Sequence, residues 1–331
     1  MRNKDELAAV QRIFSLANGR AADAFKGLVH AADHGNAVAA ATVADWRISG
    51  DVVRRDLAEA ARFYRRAAEL GMDEAMPFTI ALLGNAATGD ARDWNAALSL
   101  LRQRARRDPL ARRQVALLDA MDLTDQGDPA NPADMVAHSE DPPIWRIASF
   151  LTHAEARYVI ERANPLMEPS LVVHPTTGQM VQDPVRRAHS MSFPFVLEDP
   201  VIHAINRRIM GALAVPFSHG EPLQVLRYHP GEEYRLHSDA LPPGGSQREW
   251  TFLVWLNESF TGGETWFPAL PAGLRGQCGD AVIFRNIDAT GAALASARHA
   301  GQPVTSGTKL LLSKWVRDRP LDFSGPAGRP F

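Results

Sequence analysis

The chain has 331 residues, 45% hydrophobic and 22% charged, a composition ordinary for soluble globular domains. Lys plus Arg number 36 against 38 Asp plus Glu, a formal charge of -2, which argues against a surface built to neutralise nucleic-acid phosphates. The single cysteine, Cys278, excludes an intrachain disulfide and a cysteine-based zinc cluster.

The first ten residues are charged and lack the apolar stretch of a secretory signal. No run approaches the ~18 uninterrupted apolar residues of a membrane span. The expectation is a cytoplasmic protein with neither membrane nor nucleic acid as partner, and a length of about two domains. From residue 8 to about 124 the sequence is Ala-rich, nearly Pro-free and helically patterned. Ala31, Ala32 and Gly35 recur 36 residues on as Ala67, Ala68 and Gly71, and Ala24 recurs as Ala60 and Ala96. A period in the thirties with small residues at fixed places predicts stacked helix pairs, an α-solenoid over residues 1–125. The run through Gly50, Asp56, Ala60, Tyr64, Ala67, Ala68 and Gly71 resembles the tetratricopeptide-like repeats of the Sel type. Such arrays form concave surfaces for a peptide or protein; the alternative is a helical cap that only stabilises or dimerises the second domain. The basic stretch Arg102, Arg104, Arg106, Arg107, Arg112 and Arg113 reads as a solvated helix face.

A Pro- and Asp-rich segment, 126–143, reads as a linker. Beyond it, helices are predicted over residues 154–163 and 200–213. Short β-rich runs lie at 223–228, 251–257, 281–285 and 310–316, separated by Gly/Pro turns. That spacing predicts an antiparallel sandwich or barrel, so the fold class is α+β in two domains. On a strand, residues i and i+2 share a face, so His237 and Asp239 aim an imidazole and a carboxylate at one point. An antiparallel return would bring His299 against them. Two imidazoles and a carboxylate on one side of a metal is the arrangement of non-heme Fe(II) oxygenases, although zinc accepts the same ligands. Residues 305–308 read as a hairpin turn, so Lys309 is expected to begin a strand paired with that of His299. Parity puts Lys309, Leu311, Ser313 and Trp315 on one face and Lys314 on the other, where its replacement should do little. A buried lone ammonium needs an anion, and a bound dicarboxylate supplies one; the alternative is a surface lysine on an edge strand. His219 and His229 are expected to be solvated or structural, and Cys278 to pack at a hairpin.

Several motifs together resemble the catalytic domain of prolyl 4-hydroxylases. They are Gln224-Val225-Leu226-Arg227-Tyr228, Tyr234-x-x-His237-x-Asp239, Gly262-Gly263-Glu264-Thr265-x-Phe267-Pro268, and the run from His299-Ala300-Gly301 through Pro303, Gly307 and Lys309 to Lys314-Trp315. The resemblance covers roughly residues 144–318 and gives a second domain of 144–331. It implies a double-stranded β-helix, or jelly roll, with Fe(II), 2-oxoglutarate and dioxygen as cofactor and co-substrates and ascorbate as an accessory. It further implies His237, Asp239 and His299 as iron ligands. Lys309 would hold the distal carboxylate of 2-oxoglutarate, with Tyr228 and Thr251 as its hydrogen-bond partners. Tyr234, Arg248 and Trp315 match positions on the peptide-substrate side. The activity implied is that of a procollagen-proline 4-dioxygenase-like enzyme acting on a peptidyl proline, with the repeats recruiting the protein or peptide substrate. A short segment between Asp239 and Thr251, and Leu310 where collagen-type members carry Trp, leave the target open. The alternatives are the same chemistry on a free amino acid, small peptide or other side chain, and a non-catalytic interaction scaffold.

Overall fold

Among the described residues, four N-terminal helices begin on a side chain that accepts a hydrogen bond from their own first turn: Asn36, Asp56, Asp93 and Asp108. These caps satisfy amide groups that a helix start leaves unpaired, and they set where each helix begins. A computed structural model of the chain describes residues 2–85, 87, 92–173, 180–182 and 185–321. The helices are α1 (Arg2–Ala17), α2 (Ala21–Asp33), α3 (Ala37–Ser49), α4 (Leu57–Glu69), α5 (Met76–Gly84), α6 (Trp94–Ala105) and α7 (Pro109–Ala120), each packed on the next. Among the described residues, no helix is long and apolar enough to cross a membrane.

The 36-residue period is visible as repeated helix ends. At the end of α2, His34, Gly35 and Asn36 donate to the carbonyls of His30, Ala32 and Ala31; at the end of α4, Leu70, Gly71 and Met72 donate to Arg66, Ala68 and Ala67. Gly35 and Gly71 adopt φ of +92° and +96°, the left-handed helix-closing geometry that favours glycine. Ala24 and Ala60, each fourth in its helix, are buried. The third copy slips by one residue: Ala97, not Ala96, is fourth in α6 and buried. Within the basic stretch Arg102 pairs with Asp119, Arg104 with Asp73 and Asp108, and Arg107 with Asp73.

The chain divides into two compact units. The first holds the helices above together with Pro194–Ile205, a segment that nothing in its composition separates from the second domain. Asn85 Nδ2, fully buried, donates to the Phe195 carbonyl at 2.7 Å and ties that segment in.

The second unit is a β-structure. Its strands are β1 (Val136–Ser139), β2 (Ile144–Ile147), β3 (Glu168–Pro169), β4 (Leu171–Val173), β5 (Met180–Gln182), β6 (His189–Ser192), β7 (Gln224–Tyr228), β8 (Tyr234–His237), β9 (Arg248–Trp255), β10 (Phe260–Gly262), β11 (Thr265–Trp266), β12 (Ala281–Arg285), β13 (His299–Gly301), β14 (Val304–Gly307) and β15 (Lys309–Arg317). An eight-stranded sheet runs β1-β2-β12-β9-β15-β7-β6-β3, a three-stranded sheet runs β11-β13-β8, and β10-β14 and β4-β5 are two-stranded, all antiparallel. Strand β1 lies within the segment read as linker and forms an edge of the large sheet. The core cluster includes Leu226, Leu253, Trp255, Val282, Phe284 and Leu311 from the large sheet with Phe260, Phe267 and Val304. The central strands β9 and β15 are buried on both faces. Phe252, on the opposite face of β9, meets Phe150 ahead of helix α8 (His153–Ala163). Thr152 and Glu155 form a capping box that starts α8. Helix α9 (Pro200–Leu213) carries Arg208, whose guanidinium grips Glu155 and the Phe150 carbonyl.

The expected hairpin at residues 305–308 is not present. Val304–Gly307 is itself a strand, paired with β10, and β15 pairs with β7 and β9 rather than with the strand of His299. Gly307, at φ +72°, turns the chain between the two ladders; a Cβ there would lie 2.3 Å from the Ser259 carbonyl oxygen.

The repeated helix ends make a prediction. Gly35→Ala and Gly71→Ala each place a Cβ in left-handed backbone and should destabilise the fold by about 1–2 kcal/mol. Urea unfolding should show similar midpoint shifts for the two, whereas Ala96→Gly should shift it by less than Ala97→Gly.

Candidate functional site

Pairing of β8 with β13 sets His237 directly opposite His299. Asp239 lies two residues after His237, just past the strand end. His237 Nε2 lies 3.5 Å from Asp239 Oδ1, and His299 Nε2 lies 3.6 Å from Asp239 Oδ2. Ligand atoms of all three residues fall within 4.8 Å of one another. The other ring nitrogen of each histidine meets a backbone carbonyl: His237 Nδ1 meets Arg235 at 2.8 Å, and His299 Nδ1 meets Ala297 at 3.1 Å. A carbonyl only accepts, so each Nδ1 carries the proton and each Nε2 turns a lone pair toward the carboxylate.

The electrostatics suit a cation. Burial alone would raise the Asp239 carboxyl, but His299, His237 and Arg248 outweigh it and hold it well below the usual carboxylate range. Burial pushes the His299 imidazole down to about 4, so it is neutral and ligand-ready at pH 7. Tyr234 stacks on His237 with ring centres 3.4 Å apart, and Phe267 and Phe284 flank His299. The donor set, two imidazole nitrogens and one carboxylate, fits Fe(II) with coordination positions left open.

The same cavity is lined by Lys309, Leu311, Ser313 and Trp315, so the parity read from the sequence holds although the pairing partner differs. A side-chain period of two is independent of which strand lies alongside. Lys309 is 2% exposed, and its Nζ donates to the Gly263 carbonyl at 2.6 Å. Among the described residues it forms no ion pair. Tyr228 sits opposite it on the neighbouring strand, with its ring centre 5.5 Å from Nζ.

Two expected site residues stand elsewhere. Thr251 is opposite Trp315, six residues along β15 from Lys309, a separation of about 20 Å at strand rise. That is too far to share a carboxylate with the lysine, and its hydroxyl donates instead to Asp239 Oδ2 at 2.7 Å. Arg248 does not line the cavity; it makes two hydrogen bonds to Glu221, at 2.8 and 2.9 Å, and lies over the Trp315 ring, which is itself in the cavity wall. Tyr234 and Trp315 do line it. Lys314 faces the other way as expected but is 1% exposed, with its ammonium bonded to the Glu221 carbonyl. Its replacement is still expected to do little to co-substrate binding, but burial adds a stability cost that parity alone does not show, because the bond to the Glu221 carbonyl is lost with it. His219 is structural, its Nδ1 meeting the Arg317 carbonyl at 3.0 Å, and Cys278 bonds the Leu256 carbonyl.

Three further residues belong to the site without having been expected there. Thr265 lines the cavity and is buried, although it lies inside the Gly262–Phe267 motif. Asn286 comes just after β12 on the inward parity of Val282 and Phe284 and bonds Thr251. Arg186 lines the cavity, hydrogen-bonds Tyr228 and lies over the Tyr234 ring, yet nothing in its local sequence marks it. Among the described residues, Nε and Nη2 of Arg186 and Nε1 of Trp315 are buried donors without a partner.

Known proteins resemble part of the chain. The model of the 2OG-Fe(II) oxygenase superfamily matches residues 223–317. The chain is 33% identical over 200 residues to "Prolyl 4-hydroxylase 1" of Arabidopsis thaliana, covering 55% of this chain and 71% of the relative. It is 31% identical over 204 residues to the rat "Prolyl 4-hydroxylase subunit alpha-1", covering 59% of this chain but only 38% of that one. Among solved structures, a viral collagen prolyl hydroxylase of Paramecium Bursaria Chlorella virus-1, in complex with 2OG, is 28% identical and aligns over 53% of this chain and 95% of its own, with a TM-score of 0.42.

The two buried lysines give opposite expectations for stability and binding. Burial pushes Lys309 down to about 7, below its value in the unfolded chain, so the unfolded state binds more protons across pH 7 to about 10.5. The co-substrate-free protein should therefore gain stability with rising pH over that window relative to Lys309→Met, measured as the difference in unfolding midpoints. Lys314→Ala should lower the melting temperature more than Lys309→Ala does, while 2-oxoglutarate still binds the folded fraction.

Proposed function

We propose, from the premise that this chain belongs to the prolyl 4-hydroxylase family of Fe(II)- and 2-oxoglutarate-dependent oxygenases, that it hydroxylates a prolyl residue of a peptide or protein. The observation that carries the reading is the convergence of His237, Asp239 and His299 in one cavity with the buried Lys309, whose ammonium bonds the Gly263 carbonyl.

His237, Asp239 and His299 would hold Fe(II). When bound, iron with 2-oxoglutarate and dioxygen supplies the oxidising chemistry: one oxygen atom enters the substrate C–H bond as hydroxyl, the other enters succinate, and carbon dioxide leaves. The residues of the chain bind and orient. The backbone carbonyls of Arg235 and Ala297 fix the imidazole tautomers. Lys309 receives the distal carboxylate of 2-oxoglutarate beside Tyr228, which relieves the desolvated ammonium and restores its proton near neutral pH. Trp315 and Arg186 offer buried N–H groups to acceptors such as peptide carbonyls, with Tyr234 alongside. Arg248, clamped by Glu221, holds the Trp315 ring. Phe267, Phe284 and Leu311 help keep water out.

The β-unit is read as a jelly roll and the helical unit as a short Sel-type solenoid. The repeated helix ends at Gly35 and Gly71 support the second reading, with protein-substrate recruitment as its role.

The test is succinate formation by the Fe(II)-loaded protein with proline-containing peptides, read with mass spectrometry of the peptide. A gain of one oxygen on proline is expected, absent in His237→Ala. Oxygen gained only on other residues, or only on free amino acids, would overturn the prolyl reading. Lys309→Ala should weaken 2-oxoglutarate binding by about 3–5 kcal/mol, roughly 100-fold or more, as a stranded buried partner does.

A further inference from the structure

The carboxylate of Asp239 is held by two hydrogen bonds in series that a three-residue metal site does not itself require. Thr251 Oγ1 donates to Asp239 Oδ2 at 2.7 Å, and Asn286 Nδ2 donates to Thr251 Oγ1 at 2.9 Å. Both Thr251 and Asn286 are 1% exposed. The direction of the chain is forced. An ionised carboxylate only accepts, so the one hydroxyl proton of Thr251 points at Asp239; the hydroxyl oxygen must then accept, and Asn286 must present its amide NH2. The supports are rigid: Thr251 is on β9, flanked by β12 and β15, with Phe284 and Trp315 as its cross-strand neighbours. Asn286 is fixed by its own backbone, whose N–H donates to the Glu249 carbonyl.

We propose that Thr251 and Asn286 are positioning residues that restrain Asp239 to ligation through one oxygen, an inference that rests on reading Asp239 as a metal ligand. Thr251 occupies Oδ2 and leaves Oδ1 as the freer donor. A carboxylate able to rotate can chelate a divalent cation with both oxygens, filling a position that the co-substrates need. Thr251 prevents the rotation. Asn286 prevents Thr251 from turning its proton elsewhere, and so acts only through it.

The test is titration of the full-length protein with Mn(II), a redox-inert probe of the divalent site, monitored by the loss of its free-ion electron paramagnetic resonance signal. Thr251→Val keeps the shape and removes the donor; it should weaken Mn(II) binding roughly 10- to 100-fold, the range for partners of ligating residues. Thr251→Ser should restore binding. Asn286→Ala should weaken it less, and the double variant Thr251→Val/Asn286→Ala should bind no more weakly than Thr251→Val alone. Circular dichroism of each variant separates folding from binding, and the Ser and Asn286 variants carry the test if Thr251→Val does not fold. Mn(II) binding as tight as wild type in folded Thr251→Val or Asn286→Ala, or additive losses in the double variant, overturns the relay. Asp239→Ala binding as tightly as wild type is a different result, and overturns the site reading on which the relay rests.

Discussion

A carboxylate with 4% of its residue surface exposed, kept ionised between two imidazoles, is the constraint around which the β-unit is organised. Removing such a charge from water is costly unless it is paired and hydrogen-bonded. Here the Thr251 hydroxyl donates to the carboxylate and the more distant Arg248 adds a favourable charge, while Nε2 of His237 and of His299 lie 3.5 and 3.6 Å from its oxygens. The same features leave neutral imidazole lone pairs and a carboxylate oxygen facing a common point.

The two sheets divide the remaining work. The three-stranded sheet supplies both histidines as a cross-strand pair. The large sheet supplies, on the inward face of β15, an ammonium at one end and an indole at the other. Lys309 is held by a neutral carbonyl rather than by an ion pair, so an anionic co-substrate supplies the charge partner that favours its protonated form. Trp315 is steadied from behind by Arg248, which Glu221 shares with Arg317. Cation and indole lie on one strand and are separated by its fixed rise, so their spacing is set by backbone geometry and not by loop conformation.

Much of this is legible in the chain because it depends on short-range rules. His237-x-Asp239 is a matter of strand parity, as is the inward set Lys309 to Trp315, and the helix ends at Gly35 and Gly71 come from a repeated pattern of small residues. The failures share a different cause. The partner of β15, the placement of Thr251 and the presence of Arg186 in the cavity depend on which distant strands pair. A four-residue run with a glycine reads alike whether it closes a hairpin or carries the chain from one ladder to another. Lys314 escapes a parity argument because antiparallel sheets commonly face water on one side, whereas β9 and β15 are covered on both. The one-residue slip at Ala97 shows the same limit within the repeats: the period is readable, and the register of the last copy is not.

X-ray absorption at the iron edge of the anaerobic Fe(II)-loaded protein tests the central claim most directly. The account predicts a first shell of nitrogen and oxygen only, with multiple scattering from two imidazoles, reduced to one in His299→Ala. A shell with no imidazole, or one unchanged by that substitution, would contradict it.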